Sequence, residues 1–350
     1  MSDNVFDQLA DALNDLPNGF PRTPSKIEIR ILKKIFSPEE AALASQLVGS
    51  YEPIGAIAKR IGLPAGQIQK PLFNLVRRGV VWLDKVNGKP RFRLAPFIVG
   101  IYEAQLELMD HELAHLVEDY LAHGGAEGIM KPQPALHRVI PAQHAVKTEA
   151  VLPYDDVRKI LLNANSFHVR DCICRLQQDQ LGSRKCDFPL NMCLGFSDEE
   201  RSPAPGDLTR EEALAILDKS EEVGLVHTVS NVMQGVGYVC NCCGCCCGIL
   251  RGINDYGIEN SVAYANYYAV IDAEICAGCG DCITRCQVHA ISSDVEGFSV
   301  VDREHCIGCG LCVTGCANEA AQLVRKADAE IIQPPVDFAT WEQARLNNRG

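Results

Sequence analysis

The sequence predicts an α+β fold built from several parts, and three observations carry that expectation. Capped amphipathic stretches in the first third lead into a two-stranded hairpin signal. All 18 cysteines fall after residue 171, which divides the chain into a cysteine-free front and a cysteine-rich back. Residues 269–320 repeat themselves at a period of 30. The length of 350 residues allows two or three domains with buried cores. A 47% hydrophobic and 22% charged composition is an ordinary globular balance. The net charge of −12 argues against a protein coated in nucleic acid, while leaving room for a local basic patch.

The elements follow in order. Met1 to Asp15 is acidic and polar, without the basic start, apolar core or cleavage site of a signal peptide. No run reaches the length of a membrane span, so a cytoplasmic protein with no membrane span is expected. Residues 26–36 read as a helix. Ser37-Pro38-Glu39-Glu40 supplies an N-cap, a first-turn proline and a Glu at N3, so a second helix starts there. Residues 53–61 and 66–78 read as two more helices, ended by Gly62 and Gly79. Val80 to Leu83 and Pro90 to Leu94 are strand-like around an Asn87-Gly88 turn. Helices followed by such a hairpin make a winged-helix-like pattern. Residues 38–95 hold nine Lys and Arg against four Asp and Glu. Lys70, Arg77, Arg78, Lys85, Lys89, Arg91 and Arg93 could face DNA, or the same surface could dock a protein. The overall acidity favours docking, with nucleic acid as the second choice.

A long helix is expected over about 99–123. Ile101, Met109, Leu113, Leu116, Val117 and Tyr120 lie on one of its faces, and Gly124-Gly125 ends it. Residues 126–150 read as linker plus one short strand, 154–163 as a helix, and Phe167 to Arg170 as the lead into the first cysteines. Thr209-Arg-Glu-Glu212 is a capping box for a helix to Val223 that Gly224 closes. His111-Glu112-Leu-Ala-His115 matches a zinc-protease pattern, but Glu118 stands where the longer motif needs glycine, and the pair sits opposite the apolar stripe. There is no G-x-G-x-x-G after a strand and no P-loop.

Clustered cysteines in a reducing compartment are metal ligands or catalytic thiols more often than disulfides. In the repeat, Val270 to Cys276 matches Val300 to Cys306, which implies two half-modules about a pseudo-twofold axis, a ββ/αα arrangement. Each half carries C-x2-C-x2-C-x3-C. Three ligands on a tight loop can embrace three corners of a [4Fe–4S] cubane, and the last cysteine of each run serves the other cluster. Cys276, Cys279, Cys282 and Cys316 are therefore expected to hold one cluster, and Cys306, Cys309, Cys312 and Cys286 the second. Gly278, Gly280, Gly308 and Gly310 permit the positive φ and close approach that such loops need.

Ten cysteines remain. Cys172, Cys174, Cys186 and Cys193 fall within 22 residues, enough for a further cubane or a zinc site, with Arg175 placed to neutralise charge. Cys240, Cys242, Cys243, Cys245, Cys246 and Cys247 fall within eight residues. Adjacent cysteines point different ways, so this run should divide between clusters, or between ligand and core roles. Ten thiols could serve two further cubanes, or one cubane and one unusual site.

The tail motifs resemble the bacterial-type two-cluster ferredoxin family over about 55 residues. One departure is that Gln287 and Ala317 stand where the family usually has proline, each restoring a backbone N–H. The whole chain resembles a family of 4Fe–4S dicluster-binding proteins. The resemblance lies in Gly100-Ile-Tyr-Glu103, Cys172-Ile-Cys174-Arg175, the Cys240–Cys247 run and the terminal ferredoxin-like module. It implies iron–sulfur binding and electron transfer, and carries no substrate with it.

The expected division is 1–95 helical and winged-helix-like, 96–150 long helix and linker, 151–265 cysteine-rich, 266–325 two-cluster ferredoxin-like, and 326–350 tail. The expected cofactors are two [4Fe–4S] clusters in 266–325 and one or two further iron–sulfur clusters in the middle domain. The expected function is electron transfer to or from a redox protein or oxidoreductase subunit, as a carrier rather than a stand-alone enzyme. A redox-sensing transcription regulator is the alternative, and a reductase acting at the middle site is a third.

Overall fold

Local chemistry sets the first elements. The computed structural model describes residues 2–146, 151–200, 204 and 206–349; the last four residues of the expected 126–150 linker lie outside these. Ser37 Oγ accepts from the Glu40 amide at 3.2 Å, and Glu40 Oε2 accepts from the Ser37 amide at 3.0 Å. This reciprocal cap opens the helix Pro38–Ala44. The helices Ile27–Ile35, Ile54–Ile61 and Ala65–Arg77 lie close to the stretches read from the sequence. Val81–Val86 and Lys89–Leu94 pair antiparallel across Asn87 and Gly88, which have φ of 51° and 74° as a tight hairpin turn requires. Glu52–Pro53 adds a short third strand.

Two features of the front depart from expectation. Residues 2–14 form a helix, Ser2–Asn14, with Phe6, Leu9, Ala10 and Leu13 buried at i, i+3, i+4 and i+7. The long helix expected over 99–123 is not continuous. A π-type turn, Phe97–Ile101, runs into the 3₁₀ turn Tyr102–Ala104, and a regular helix begins only at His111–Tyr120. Polar side chains break it. Glu103 Oε2 takes the Gly100 amide at 2.6 Å, and Asp110 Oδ1 takes the Leu113 amide at 2.9 Å as a new N-cap. All six residues assigned to the apolar face are nevertheless buried.

The chain divides into two compact units. One comprises residues 1–132, 176–183 and 345–350. Within it Arg345 is fully buried and donates to the carbonyls of Pro17, Pro132 and Ile129. Residues 326–350, expected only as a tail, contain the helix Phe338–Asn347. The other unit comprises 133–175 and 184–344 and contains every cysteine. Its centre is a seven-stranded sheet in the order Val262–Ala263, His137–Ile140, Val226–Ser230, Tyr238–Cys242, Asn191–Ser197, Ser166–Asp171, Asp207–Leu208. Only the first pairing is parallel.

Helices Val157–Leu162 and Arg210–Val223 pack on that sheet around Leu161, Phe167, Leu194, Leu217, Val229 and Val239. Thr209 caps the second helix and Gly224, with φ of 91°, ends it. Leu194 pairs with Val239 and both enter this core. The pleat therefore turns their neighbours Cys193 and Cys240, and with Cys240 also Cys242, to the other face. Among the described residues no helix is long and apolar enough to cross a membrane.

The last part of this unit repeats itself. Tyr267–Ile271 pairs with Ala321–Arg325, and Ile291–Ser293 with Ser299–Val301, with short helices at Asp281–Arg285 and Leu311–Thr314. Equivalent residues adopt equivalent backbone. His289 and Glu319 both have φ of 57°, and the Asp272 and Asp302 amides bond to Ala320 and Ala290 at 2.9 and 2.8 Å.

Candidate metal centres

All 18 cysteines are free thiols, and they gather in three places. In the tail, the loops 276–280 and 306–310 each turn through two left-handed glycines. Gly278 and Gly280 have φ of 66° and 80°, Gly308 and Gly310 of 73° and 77°. At Gly308 a side chain is excluded outright, since a Cβ would stand 2.3 Å from the Tyr267 carbonyl oxygen. Backbone amides aim at sulfur: Ala290 N–H at Cys286 Sγ, 3.2 Å, and Ala269 N–H at Cys306 Sγ, 3.5 Å. The amides of Ser299 and Gly278 hold the Cys276 thiol below its ordinary range. Burial pushes Cys286 and Cys309 up, and Cys312 to about 12. Ligation by iron, which takes the thiolate, would offset such a cost at these positions. The two loops differ in exposure. Cys279 is exposed, whereas Ile307, Gly308 and Gly310 are buried and Cys309 is partly so.

The other ten cysteines sort differently from their order in the chain. Cys186 does not join Cys172, Cys174 and Cys193. Its sulfur lies 3.9 Å from Cys243 and 3.7 Å from Cys246, and Cys245 lies 3.6 Å from Cys246. These four sulfurs are all within 4.8 Å of one another. The remaining six close a ring of neighbours: Cys172, Cys174, Cys247, Cys242, Cys240 and Cys193. The 240–247 run is thus divided, with Cys240, Cys242 and Cys247 on the ring and Cys243, Cys245 and Cys246 with Cys186.

Arg175 serves both groups. It is fully buried on the helix Ile173–Gln180, with guanidinium donors on the carbonyls of Pro189, 2.9 Å, and Asn241, 2.6 Å. Burial alone would lower its pKa, but the thiolates of Cys172 and Cys243 more than offset this and raise it. Hydrogen bonds from Cys174 and Cys193, with Arg175 adding its charge, hold Cys172 well below the usual thiol range. Those from Cys240 and Cys247 bring Cys242 down to about 6.

Several residues support these groups, and sequence reasoning missed the first three, Tyr238, His137 and Thr228. Tyr238 Oη bonds to His137 Nε2 at 2.8 Å, His137 Nδ1 to Thr228 Oγ1 at 3.3 Å, and Thr228 Oγ1 to Cys242 Sγ at 3.5 Å. Gln287 is the residue found where proline was anticipated. Its side chain accepts from the Gly244 amide, 2.8 Å, and donates to the Gly224 carbonyl, 3.0 Å. A Cβ on Gly244 would stand 2.0 Å from the Gln287 carbonyl oxygen. The absence of proline was the available signal. By contrast, His111 and His115 are exposed, Glu112 pairs with Lys34 at 2.6 Å, and among the described residues no metal-ligand group forms around them.

Residues 268–317 match the family model described as a 4Fe-4S dicluster domain. No curated protein and no solved structure matches the chain. The protein thus has a mixed α+β architecture with an iron–sulfur-binding region near its C-terminus and a four-cysteine group in mid-chain able to hold a metal ion.

Proposed function

We propose that the protein transfers electrons through residues 266–325, where Cys276, Cys279, Cys282 and Cys316 hold one [4Fe–4S] cluster and Cys306, Cys309, Cys312 and Cys286 another. The observation that carries this reading is the doubled loop. Two C-x2-C-x2-C-x3-C runs, each with paired left-handed glycines, sit 30 residues apart in matching backbone. Such clusters, when bound, accept and release single electrons. The chain's own residues do the rest. They supply amides to sulfur, exclude water around Cys312, and leave Cys279 at the surface.

Exposure assigns a direction. The exposed 276–280 loop, whose Gly278 lies against the Gly297 carbonyl two residues from the fully exposed Val295, is the contact for a redox protein or oxidoreductase subunit. The 306–310 loop faces inward. Gln287 links the tail to Gly244 in the middle run, and a further iron–sulfur cluster is assigned to the six-cysteine ring, whose Cys242 and Cys247 flank the 243–246 turn. The winged-helix-like front is a docking module rather than a DNA reader. Three of its basic side chains are engaged by carboxylates: Arg60 by Glu52, Arg78 by Glu40 and Arg91 by Asp84.

An anaerobic redox titration followed by EPR tests this. Reduction by a low-potential donor should produce spectra of paired [4Fe–4S]⁺ centres, with no change in affinity for duplex DNA between oxidation states. Redox-dependent DNA binding, or no reducible centre, contradicts the reading.

A further inference from the structure

The four-cysteine group differs in scale from every other thiol cluster in the chain. Cys186 comes from the stretch between the helix Ile173–Gln180 and the strand Asn191–Ser197, and the other three follow the strand Tyr238–Cys242. Their sulfurs approach to 3.6, 3.7 and 3.9 Å. Four thiolates about one zinc ion at ~2.3 Å occupy a tetrahedron with edges of about 3.8 Å. A cubane imposes a wider spacing, because each thiolate caps a different iron on the outside of the cluster. Among the described residues no other three cysteines come within 4.8 Å of one another, neither in the tail loops nor in the six-membered ring.

We propose that Cys186, Cys243, Cys245 and Cys246 form a mononuclear tetrathiolate site that binds zinc. Among the described residues the site has four soft donors and no fifth, as a closed structural zinc site requires. Zinc outcompetes ferrous iron at such a donor set. Its surroundings suit a dianionic centre. Met192, Leu225 and Phe188 pack around the sulfurs, and the positive charges of Arg175 and Arg184 act on Cys243 and Cys186. The ion has a structural task as well. Residues 183–189 carry no regular secondary structure, and the metal pins them to the 243–246 turn. Sequence order hides the site by placing Cys186 among three cysteines that belong elsewhere.

The test uses the full chain, purified without oxygen and without added metal. Elemental analysis should find about one zinc per chain, and zinc-edge X-ray absorption should show four sulfurs near 2.3 Å with no metal neighbour. Cys245→Ser should remove at least four-fifths of the zinc and leave the iron content unchanged, whereas Cys245→His should retain the zinc, since three thiolates and an imidazole also satisfy it. Iron in place of zinc, a short metal–metal distance in the absorption spectrum, or loss of about four iron in Cys245→Ser with no zinc in the parent overturns the proposal. None of these results depends on whether the tail transfers electrons, which the EPR titration decides separately.

Discussion

Arg175 shows what one residue does in a thiolate-rich interior. A fully buried guanidinium is expensive unless charge faces it, and Cys172 and Cys243 supply that charge from two different sites. Arg175→Met should therefore leave thiolates uncompensated. The expected result is a loss of roughly 3 kcal/mol in urea denaturation, together with reduced metal content in the middle region. An unchanged midpoint would mean that the sulfur charge is balanced elsewhere. This residue was legible because it directly follows a cysteine pair in C-x-C-R. His137 was not, because its partners Tyr238 and Thr228 are distant in sequence and meet it only across the sheet.

Burial lowers the His137 pKa to about 4. The sign follows from linkage. The unfolded imidazole binds a proton near 6.5 while the folded one stays neutral, so the stability it contributes is present above pH 6.5 and is lost as pH falls toward 4. The loss should approach about 3 kcal/mol. Comparing the pH dependence of stability in the wild type and His137→Gln over this window checks it, and the variant should show the shallower fall.

At the scale of elements, glycines that only turn the chain should be separable from glycines that allow a close approach. Gly62 ends the helix Ile54–Ile61 with φ of 71° and open space around it. Gly308 has a similar φ but faces the Tyr267 carbonyl. Gly62→Ala should cost about 1 kcal/mol and leave iron content intact. Gly308→Ala should displace the cysteine loop, with iron content falling well below that of the parent. Equal behaviour of the two variants in iron analysis would remove the argument for the loop. Caps divide in the same manner. Ser37 and Thr209 were visible as capping boxes, and Ser37→Ala should cost about 1 kcal/mol in thermal unfolding.

Asp110 was hidden. Its apolar neighbours keep helical spacing across 101–120 although the backbone breaks at Gln105–Asp110, and periodicity registers burial rather than hydrogen bonding. The N-terminal helix was missed for the converse reason. Its acidic composition outweighed the Phe6, Leu9, Ala10, Leu13 stripe.

For the whole molecule, the tail repeat was readable because ligand spacing, glycines and period coincide within 50 residues. The partition of the middle cysteines was not, because it depends on which strands lie together. Cys193 and Cys240 are 47 residues apart yet neighbours, since Asn191–Ser197 and Tyr238–Cys242 pair in the sheet. Adjacent Cys242 and Cys243 end in different groups because the strand stops between them.

The proposed role of the tail rests on its thiolates binding two cubanes. Iron and acid-labile sulfide, counted per chain in anaerobically purified wild type and in a variant carrying Cys279→Ser and Cys309→Ser, test it most directly. The wild type should hold about eight iron and eight sulfide more than the variant. An equal iron and sulfide content in the two would contradict it.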